Sequence, residues 1–579
     1  MALGAVAFVL AVPVTAHAAA AAARPATAVA APVPVLRAVL TPARAAAPAA
    51  LPGRYALGVR PGAVLADVVR RIGVVAGVPA ESLAPVRALV VTAGDPRRLA
   101  RVPGVAWVEP VIPRRSAFVP SDPLLGRQWY VQADRAFDYW SALARPPALA
   151  GVRVAVIDSG IDLGHPDFRG RIAAARSFVG GSAQDTDGHG TFVAGVIAAR
   201  LDDQVGIAGM AFPAQLLVAK VVGADGTISP ESEARAIRWA VASGARVINM
   251  SIGGLRDPRD PERDTYSKLE AAAVGYAIGR GAVVVAAAGN ADDAPAIPWP
   301  FASYPAALPH VIGVAALTRK GDVSTFSNRD PVFVDIAAPG EGILSTFPRA
   351  LTATRAGCVD QGYSSCGPSE YREAEGTSFG APQVTAAIAT VLSFRPRLTA
   401  RQAAAIVERT ARDVHGGTGC RRCPLLRDQF TGWGALDVEA ALRSLAGPPP
   451  PADPLEPNDG AAVPYALWGL PRTVAATIDY WDDPVDVYRV RLARGQALIA
   501  KLDGPTGVQT ELSLWLAASP SVDTTAANAA RYLVSLASGL TDSQRLVAVA
   551  PAAGFYLVAV RAAKPGSGSY TLRVSSTTP

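Results

Sequence analysis

The sequence predicts an α/β protein in three folded parts: a central three-layer domain on a parallel sheet at residues 121–446, a small α/β unit ahead of it at 53–113, and an all-β sandwich behind it at 453–579. Three observations predict this. From Gly151 to Leu445 strand-length apolar runs alternate with helix-length stretches, the pattern of a sheet covered on both faces. The run Gly447-Pro448-Pro449-Pro450-Pro451 then ends that pattern with a stiff linker, 447–452. Beyond it short alternating strands are separated by Gly, Pro and Asp turns, as in a sandwich. At 579 residues the chain also exceeds what one hydrophobic core organises.

In chain order, residues 1–20 hold an apolar stretch from Leu3 to Val14 followed by Ala16-His17-Ala18, a small-x-small pattern similar to that of a secretory signal peptide, without the usual basic start. No later stretch reaches about 18 uninterrupted apolar residues, so no membrane insertion is expected and the mature chain is read as secreted, extracellular or periplasmic. Residues 21–52 are an Ala/Pro tract without period, expected as a disordered linker. The unit at 53–113 reads as strand Arg54 to Val59, helix Leu65 to Ile72, strand Ala88 to Thr92, helix Pro96 to Val102 and strand Val105 to Val111. A unit this small is marginally stable alone and suits a partner-dependent module.

Central strands are expected at Val152 to Ile157, Gln215 to Val222, Arg246 to Met250, Ala282 to Ala287, His310 to Ala316 and Val332 to Ile336. The last domain offers strands at Val485 to Val490, Glu511 to Leu516, Gly554 to Val560 and Tyr570 to Val574. The net charge of +7 comes from arginines spread along the chain, with no basic block or aromatic-interleaved stripe, so nucleic acid is not an expected partner. The four cysteines fall in two local pairs, and an oxidising compartment favours disulfides Cys358 with Cys366 and Cys420 with Cys423 among three pairings. A four-thiolate zinc site is the alternative, since Cys420 and Cys423 have C-x2-C spacing, but the first pair is spaced too widely for a zinc knuckle.

The chemistry gathers where strands of a parallel sheet end. Asp158 closes Val152-Arg153-Val154-Ala155-Val156-Ile157, His189 stands in Asp187-Gly188-His189-Gly190-Thr191 at a helix start, and Ser378 stands in Gly376-Thr377-Ser378-Phe379-Gly380-Ala381-Pro382 at another. A serine hydroxyl is a poor nucleophile that needs a base within hydrogen-bond reach, and the base needs a carboxylate to fix its tautomer and stabilise its cation. Those three residues supply the set. Asn290, in Ala288-Gly289-Asn290, offers a side-chain amide for a developing oxyanion, and the Ser378 backbone N–H at a helix N-terminus offers a second donor. Singly, each of these residues has an ordinary turn or cap role; their joint order is what carries the reading. His165, His310 and His415 lack such company and are read as structural or exposed, and Asp187 as a loop residue, or else a charge favouring a basic group two residues before a cut.

On these motifs the region from Ser121 to Leu445 resembles the subtilisin-like serine proteases. The resemblance implies a serine endopeptidase that cuts peptide bonds through an acyl-enzyme, with no cofactor required for that chemistry, with protein or peptide substrates, and as a monomer. It implies that substrate is held as an added strand between Gly226-Thr227-Ile228 and Ser251-Ile252-Gly253. Ser303, before Tyr304-Pro305, falls at the back of the pocket for the residue preceding the scissile bond and leaves that pocket without a carboxylate. Asp167 and Asp203 match positions of a structural calcium site, with Leu201, Val205 and Ile207 offering carbonyls, although an insertion precedes Asp202; solvated turn carboxylates are the alternative. Phe379 and Gly380 depart from the commonest residues of the serine motif, and Phe192 stands where a histidine is frequent.

The unit at 53–113 is similar to the family's inhibitory propeptides, which implies a chain that cuts itself between Val111 and Ser121 and is inhibited by its own propeptide until then. The last domain resembles the bacterial pre-peptidase C-terminal domain through Glu456-Pro457-Asn458-Asp459, Asp483-Pro484-Val485-Asp486-Val487-Tyr488 and Gly568-Ser569-Tyr570-Thr571-Leu572. The rival readings are a protease scaffold that binds peptides without cutting them and a chain that is chiefly an adhesion protein.

Overall fold

The computed structural model describes residues 51–111, 119–141, 149–291, 294–354, 369–450, 453–480, 483–522, 524, 526–539, 541–564 and 566–577. The chain divides into two compact units at Pro113. In the first, β1 (Arg54–Val59), β2 (Glu81–Leu83), β3 (Ala88–Thr92) and β4 (Val105–Pro110) form a sheet of order β2-β3-β1-β4. The Leu65–Ala76 helix buries Val68 and Ile72 against Leu57, Leu89 and Val91 and ends on Gly77 in the left-handed conformation. Asp95 caps the Pro96–Ala100 helix by accepting from the Arg97 N–H. The extra strand, β2, has three exposed residues and pairs along one edge of β3, so no buried apolar face marked it in the sequence.

The second unit holds seven parallel strands: β5 (Val152–Asp158), β6 (Ile172–Ser177), β7 (Ala214–Lys220), β8 (Val247–Met250), β9 (Val283–Ala287), β10 (Val311–Leu317) and β11 (Ile336–Pro339), in the order β11-β10-β9-β8-β5-β7-β6. The pleat sends alternate residues to opposite layers. Val154, Val156, Leu216 and Val218 pack under the His189–Ala198 and Thr377–Phe394 helices, while Ala155, Ile157, Leu217 and Ala219 pack under the Pro230–Ala242 and Lys268–Gly279 helices. Both faces are dry, which is why the central strands read as unbroken apolar runs.

Two details differ from the expected strands. β6 is an edge strand of sequence Ile-Ala-Ala-Ala-Arg-Ser with a largely exposed pattern, and alanine is a poor strand former, so it carried no signal. The strand expected at Val332 to Ile336 starts at Ile336 instead. Asp330 Oδ1 accepts from the Val332 and Phe333 N–H groups, so this apolar stretch begins as a carboxylate-stabilised turn.

The last domain is two antiparallel-rich sheets. One runs Tyr465–Ala466, Val485–Leu492, Gly554–Ala562, Thr510–Leu516, Leu533–Ser538, and the other Arg472–Asp479, Ser567–Ser576, Ala497–Asp503, Ser543–Val549. Tyr488, Val490, Leu512, Leu514 and Val558 of the first face Ile478, Leu498, Ala500, Leu502 and Leu572 of the second in one core. Cys420 and Cys423 are joined by a disulfide and are buried; Cys358 and Cys366 lie outside the described residues. Among the described residues no helix is long and apolar enough to cross a membrane.

Candidate active site

Asp158 is the last residue of β5 and is fully buried. Its Oδ1 accepts from the Ser159 N–H at 2.7 Å and lies 2.8 Å from His189 Nδ1. That contact fixes the ring so that the other nitrogen, Nε2, is the one left for chemistry. His189 opens its helix after Gly188, whose φ of +118° suits glycine and whose added Cβ would lie 2.4 Å from the Phe347 ring. Burial pushes the His189 pKa down, but the Asp158 charge and hydrogen bond, helped by Asp187 and Asp185, outweigh it and leave it above the ordinary imidazole value.

The turn between β5 and this helix is organised by Asp185, which sequence reasoning did not single out. Its Oδ1 accepts from the Asp187 and Gly188 N–H groups and the Ser159 hydroxyl, and its Oδ2 accepts from the Thr191 N–H and hydroxyl. Five donors onto one buried carboxylate tie Asp158's neighbour to the first turn of the histidine helix. Asp187 also caps the His189 N–H at 3.1 Å, so it serves the loop and adds charge beside the imidazole.

Ser378 is the second residue of the Thr377–Phe394 helix and is partly exposed. Four residues on, Pro382 has no N–H, so the Ser378 carbonyl lacks its helical partner. The Ser251 hydroxyl donates to that carbonyl at 2.7 Å, and the Ser378 hydroxyl donates to the Ser251 carbonyl at 3.1 Å. The reciprocal pair pins Ser378 to the end of β8. Phe379 brings the serine and histidine helices together: its ring lies 5.5 Å from the His189 ring and 4.5 Å from Phe192. The two aromatic departures noted in the sequence are therefore one packing unit, each filling space against the other.

Asn290 follows β9 and is oriented through its oxygen. Oδ1 accepts from the Thr377 N–H at 3.0 Å and the Thr377 hydroxyl at 2.9 Å, while that hydroxyl accepts from the Gly289 N–H at 3.1 Å. With its oxygen held by two donors, the amide presents Nδ2 as a donor beside the start of the serine helix. Gly289, at φ +97°, could not carry a side chain: a Cβ would sit 2.1 Å from Ser303 Oγ. A carboxylate, an imidazole, a hydroxyl and two oriented N–H groups on one edge of the sheet can perform acyl transfer through a tetrahedral intermediate.

Residues 150–434 match the subtilase family. Thermitase from Thermoactinomyces vulgaris is 33% identical over 309 residues, covering 52% of this chain and 94% of that protein. Subtilisin BL from Lederbergia lenta is 34% identical over 51% of this chain and 91% of its own length, and the major intracellular serine protease of Bacillus subtilis (strain 168) is 36% identical over 42% and 69%. This chain belongs to the subtilase family. It is a serine endopeptidase. Among solved structures, a protease from Pseudoalteromonas arctica PAMC 21717 matches 56% of this chain and 99% of that chain at 26% identity with a TM-score of 0.44.

In this subtilase Gly226 and Thr227 of the first segment expected to hold substrate are exposed, and the second segment runs from a buried Ser251 to an exposed Gly253. Gly226 and Thr227 form the tip of a hairpin bridged at Val222 and Ile228, tightened by Asp225, which accepts from the Thr227 N–H and hydroxyl. Ser251 is the residue that locks Ser378, Ile252 is partly buried on the core beneath, and Gly253 and Gly254 run beside Tyr304. The Ser303 hydroxyl accepts from Asn328 Nδ2 at 3.2 Å. Of the other histidines, His165 is buried and its Nδ1 accepts from the Asp167 N–H, the His415 Nδ1 accepts from the Gly417 N–H in an exposed turn, and His310 pairs with Asp459 at 2.9 Å.

Asp167 and Asp203 share a corner with Asp122, which the sequence did not single out. Asp167 is buried, accepting from the Tyr371 hydroxyl at 2.9 Å and the Ile207 N–H at 3.2 Å, and burial, with the nearby charges of Asp203 and Asp122, raises its pKa to about 6. Asp203 accepts from the Val205 N–H and lies 3.4 Å from Arg200 Nε. Asp122 Oδ2 accepts from the Asp202 N–H, and its buried Oδ1 has no hydrogen-bond partner. Asp203 and Asp122, whose buried Oδ1 is orphaned, act electrostatically on Asp167, and oxygen donors of this kind suit a hard divalent cation, although the three carboxylates do not gather within 4.8 Å of one another. Asp122 stands 30 residues ahead of Val152, where the first strand of the parallel sheet begins, in a stretch without periodicity, so only its side chain's placement reveals it.

Proposed function

We propose that this subtilase is made as an exported zymogen and hydrolyses peptide bonds with Ser378 as nucleophile, His189 as base and Asp158 as its carboxylate partner. The observation that carries the reading is the 2.8 Å contact of His189 Nδ1 with Asp158, beside a Ser378 clamped by Ser251. A peptide strand lies between Gly226–Ile228 and Ser251–Gly253. The Ser378 hydroxyl leaves the Ser251 carbonyl and gives its proton to His189 Nε2 as its oxygen bonds to the scissile carbon. The carbonyl oxygen, now anionic, takes hydrogen bonds from Asn290 Nδ2 and the Ser378 N–H. His189 passes the proton to the leaving amine, the C–N bond breaks, and water repeats the sequence to release the acid.

In this reading residues 1–20 are a signal peptide, 21–52 a linker, 53–113 the inhibitory propeptide, 121–446 the peptidase domain, 447–452 a linker and 453–579 a pre-peptidase C-terminal-like sandwich. The mature chain is a secreted monomer, with Cys358 and Cys366 as the second disulfide. Asp122, Asp167 and Asp203 would hold a structural calcium, which supplies stability and takes no part in the chemistry. Ser303 contributes to a neutral primary pocket. The test is intact-mass analysis of the secreted chain. Wild type should begin between Val111 and Ser121, and Ser378→Ala, purified free of other proteases, should retain the propeptide; a normally processed Ser378→Ala chain would refute autoprocessing.

A further inference from the structure

The two segments that hold substrate in the reading above each lead to a helix, and each helix carries a buried glutamate in its first turn. Residues 226–228 run into the Pro230–Ala242 helix, whose buried stripe includes Glu233, Ile237 and Ala240. Residues 251–253 lead to the Lys268–Gly279 helix, whose buried stripe is Glu270, Val274 and Ala277. The spacing is i, i+4, i+7 in both, so each glutamate tops an apolar seam at the N-terminal end of its helix. Helices that follow parallel strands start at the carboxyl ends of those strands, the edge that also carries Ser378. The second helix is tied to its segment. The Thr265 N–H and hydroxyl both donate to the Leu255 carbonyl at 3.0 Å, and the Tyr266 ring lies 5.4 Å from that of Tyr304, which exchanges two backbone hydrogen bonds with Gly254. Ile228 and Ile252, one from each segment, pack on the same apolar cluster as Ile237 and Val274.

Glu233 is 6% exposed and Glu270 5%. Among the described residues neither carboxylate has a hydrogen-bond donor or a cation beside it. Arg235, two residues beyond Glu233, pairs instead with the exposed Glu231. Burial raises the Glu270 pKa to about 7, and burial followed by the Glu270 charge raises that of Glu233 to about 8. Two unpartnered acids at the mouth of an apolar seam destabilise the free enzyme, and an incoming cation relieves that penalty.

We propose that Glu233 and Glu270 together take a lysine or arginine side chain of the substrate, at the fourth residue before the scissile bond, and that the first such side chain is Arg115 of the chain itself. The inference rests on the reading of residues 226–228 and 251–253 as the edges that hold substrate as a strand. Side chains two apart on a strand share a face and stand about 7 Å apart. The second residue before the cut lies beside His189, so the fourth points the same way, over the seam between the two helices. A long basic side chain rests its methylenes on the apolar wall and carries its charge down to both carboxylates. The chain's own sequence supplies such a substrate. Between Val111 and Ser121 the one aromatic residue, suited to a neutral primary pocket, is Phe118. A cut between Phe118 and Val119 makes Arg115 the fourth residue, so Arg115-Ser116-Ala117-Phe118 fills both pockets at once.

The experiment uses the mature secreted enzyme and peptides X-Ser-Ala-Phe with a chromogenic leaving group, where X is Arg, Lys, norleucine or Glu. In wild type kcat/KM for Arg and Lys should exceed that for norleucine, which has the length without the charge, about ten- to hundredfold, with Glu slowest. In Glu233→Gln with Glu270→Gln, which keeps the shape and removes the charge, that ratio should fall below about threefold, with each single variant between. The mature chain should begin at Val119, and Arg115→Glu in the precursor should slow its appearance about tenfold. Equal rates for Arg and norleucine in wild type, a ratio that survives in the double variant, or a mature chain with another first residue would each overturn the proposal. The wild-type comparison decides it even if the double variant fails to fold. Fluorophosphonate-sensitive cleavage of the norleucine peptide with no gain for Arg would refute the acidic pocket alone, whereas cleavage of none of the peptides would refute the strand-holding reading and the proposal with it.

Discussion

Thr377 offers a sharp test of how Asn290 works, because its hydroxyl donates to the amide's oxygen and leaves the amide's Nδ2 untouched. Thr377→Val is nearly isosteric and deletes one of the two donors to Asn290 Oδ1, the hydroxyl at 2.9 Å, while the backbone N–H at 3.0 Å remains. It also strands the Gly289 N–H, which gave its hydrogen bond to that hydroxyl. One net hydrogen bond is worth about 1 to 1.5 kcal/mol, so kcat should fall about five- to tenfold with KM little changed, since the amide acts on charge that appears only in the transition state. Asn290→Ala removes the donor itself and should cost about 10² to 10³ in kcat. Because Thr377 acts through Asn290, the double variant should be no slower than Asn290→Ala within about twofold, and Thr377→Ser should restore most of the rate. Steady-state kinetics on one peptide substrate decide it: a pure KM effect, or losses that multiply in the double variant, would refute the orientation argument.

Neutral His189 is the active base, so kcat/KM should fall as pH drops through its pKa; since the Asp187 charge helps raise that pKa, Asp187→Asn should move the acid limb to lower pH, and an unmoved limb would refute the coupling. Asp167 has its folded pKa raised to about 6 from 3.8, so the stability tied to its protonated form is full below about pH 4 and lost as pH rises through 6. Melting temperature in chelator should therefore decline across that window and calcium should flatten the decline, adding about 2.7 kcal/mol at one hundred times its dissociation constant; identical curves with and without calcium would refute a cation in this corner. With Ser303 bonded to Asn328 and no carboxylate at that position, a peptide-library digest should show apolar or aromatic residues before the cut, and a strong basic preference would refute the neutral pocket.

The central strands were legible because burial on both faces leaves unbroken apolar runs in β5, β9 and β10, bounded by glycines and capping residues. β6 and β2, at sheet edges, bury too little to leave a pattern, and the apolar stretch at Val332 is a turn held by a carboxylate three-dimensionally, not by its own periodicity. The candidate site was legible in type and order through Asp158, His189, Asn290 and Ser378, whose glycine-rich surroundings are continuous in sequence. Asp185, Thr377 and Ser251 as positioning residues were not, because their roles lie in hydrogen bonds to segments 6 to 127 residues away. The same holds for Asp122, and for Glu233 beside Glu270, placements that exist only once distant parts of the chain meet.

The most direct test of the central claim is peptide mapping by mass spectrometry after labelling the mature enzyme with a fluorophosphonate. The account predicts one adduct, on the Ser378 oxygen, formed to near stoichiometry and lost in His189→Ala; an adduct on another serine, or equal labelling without His189, would contradict it.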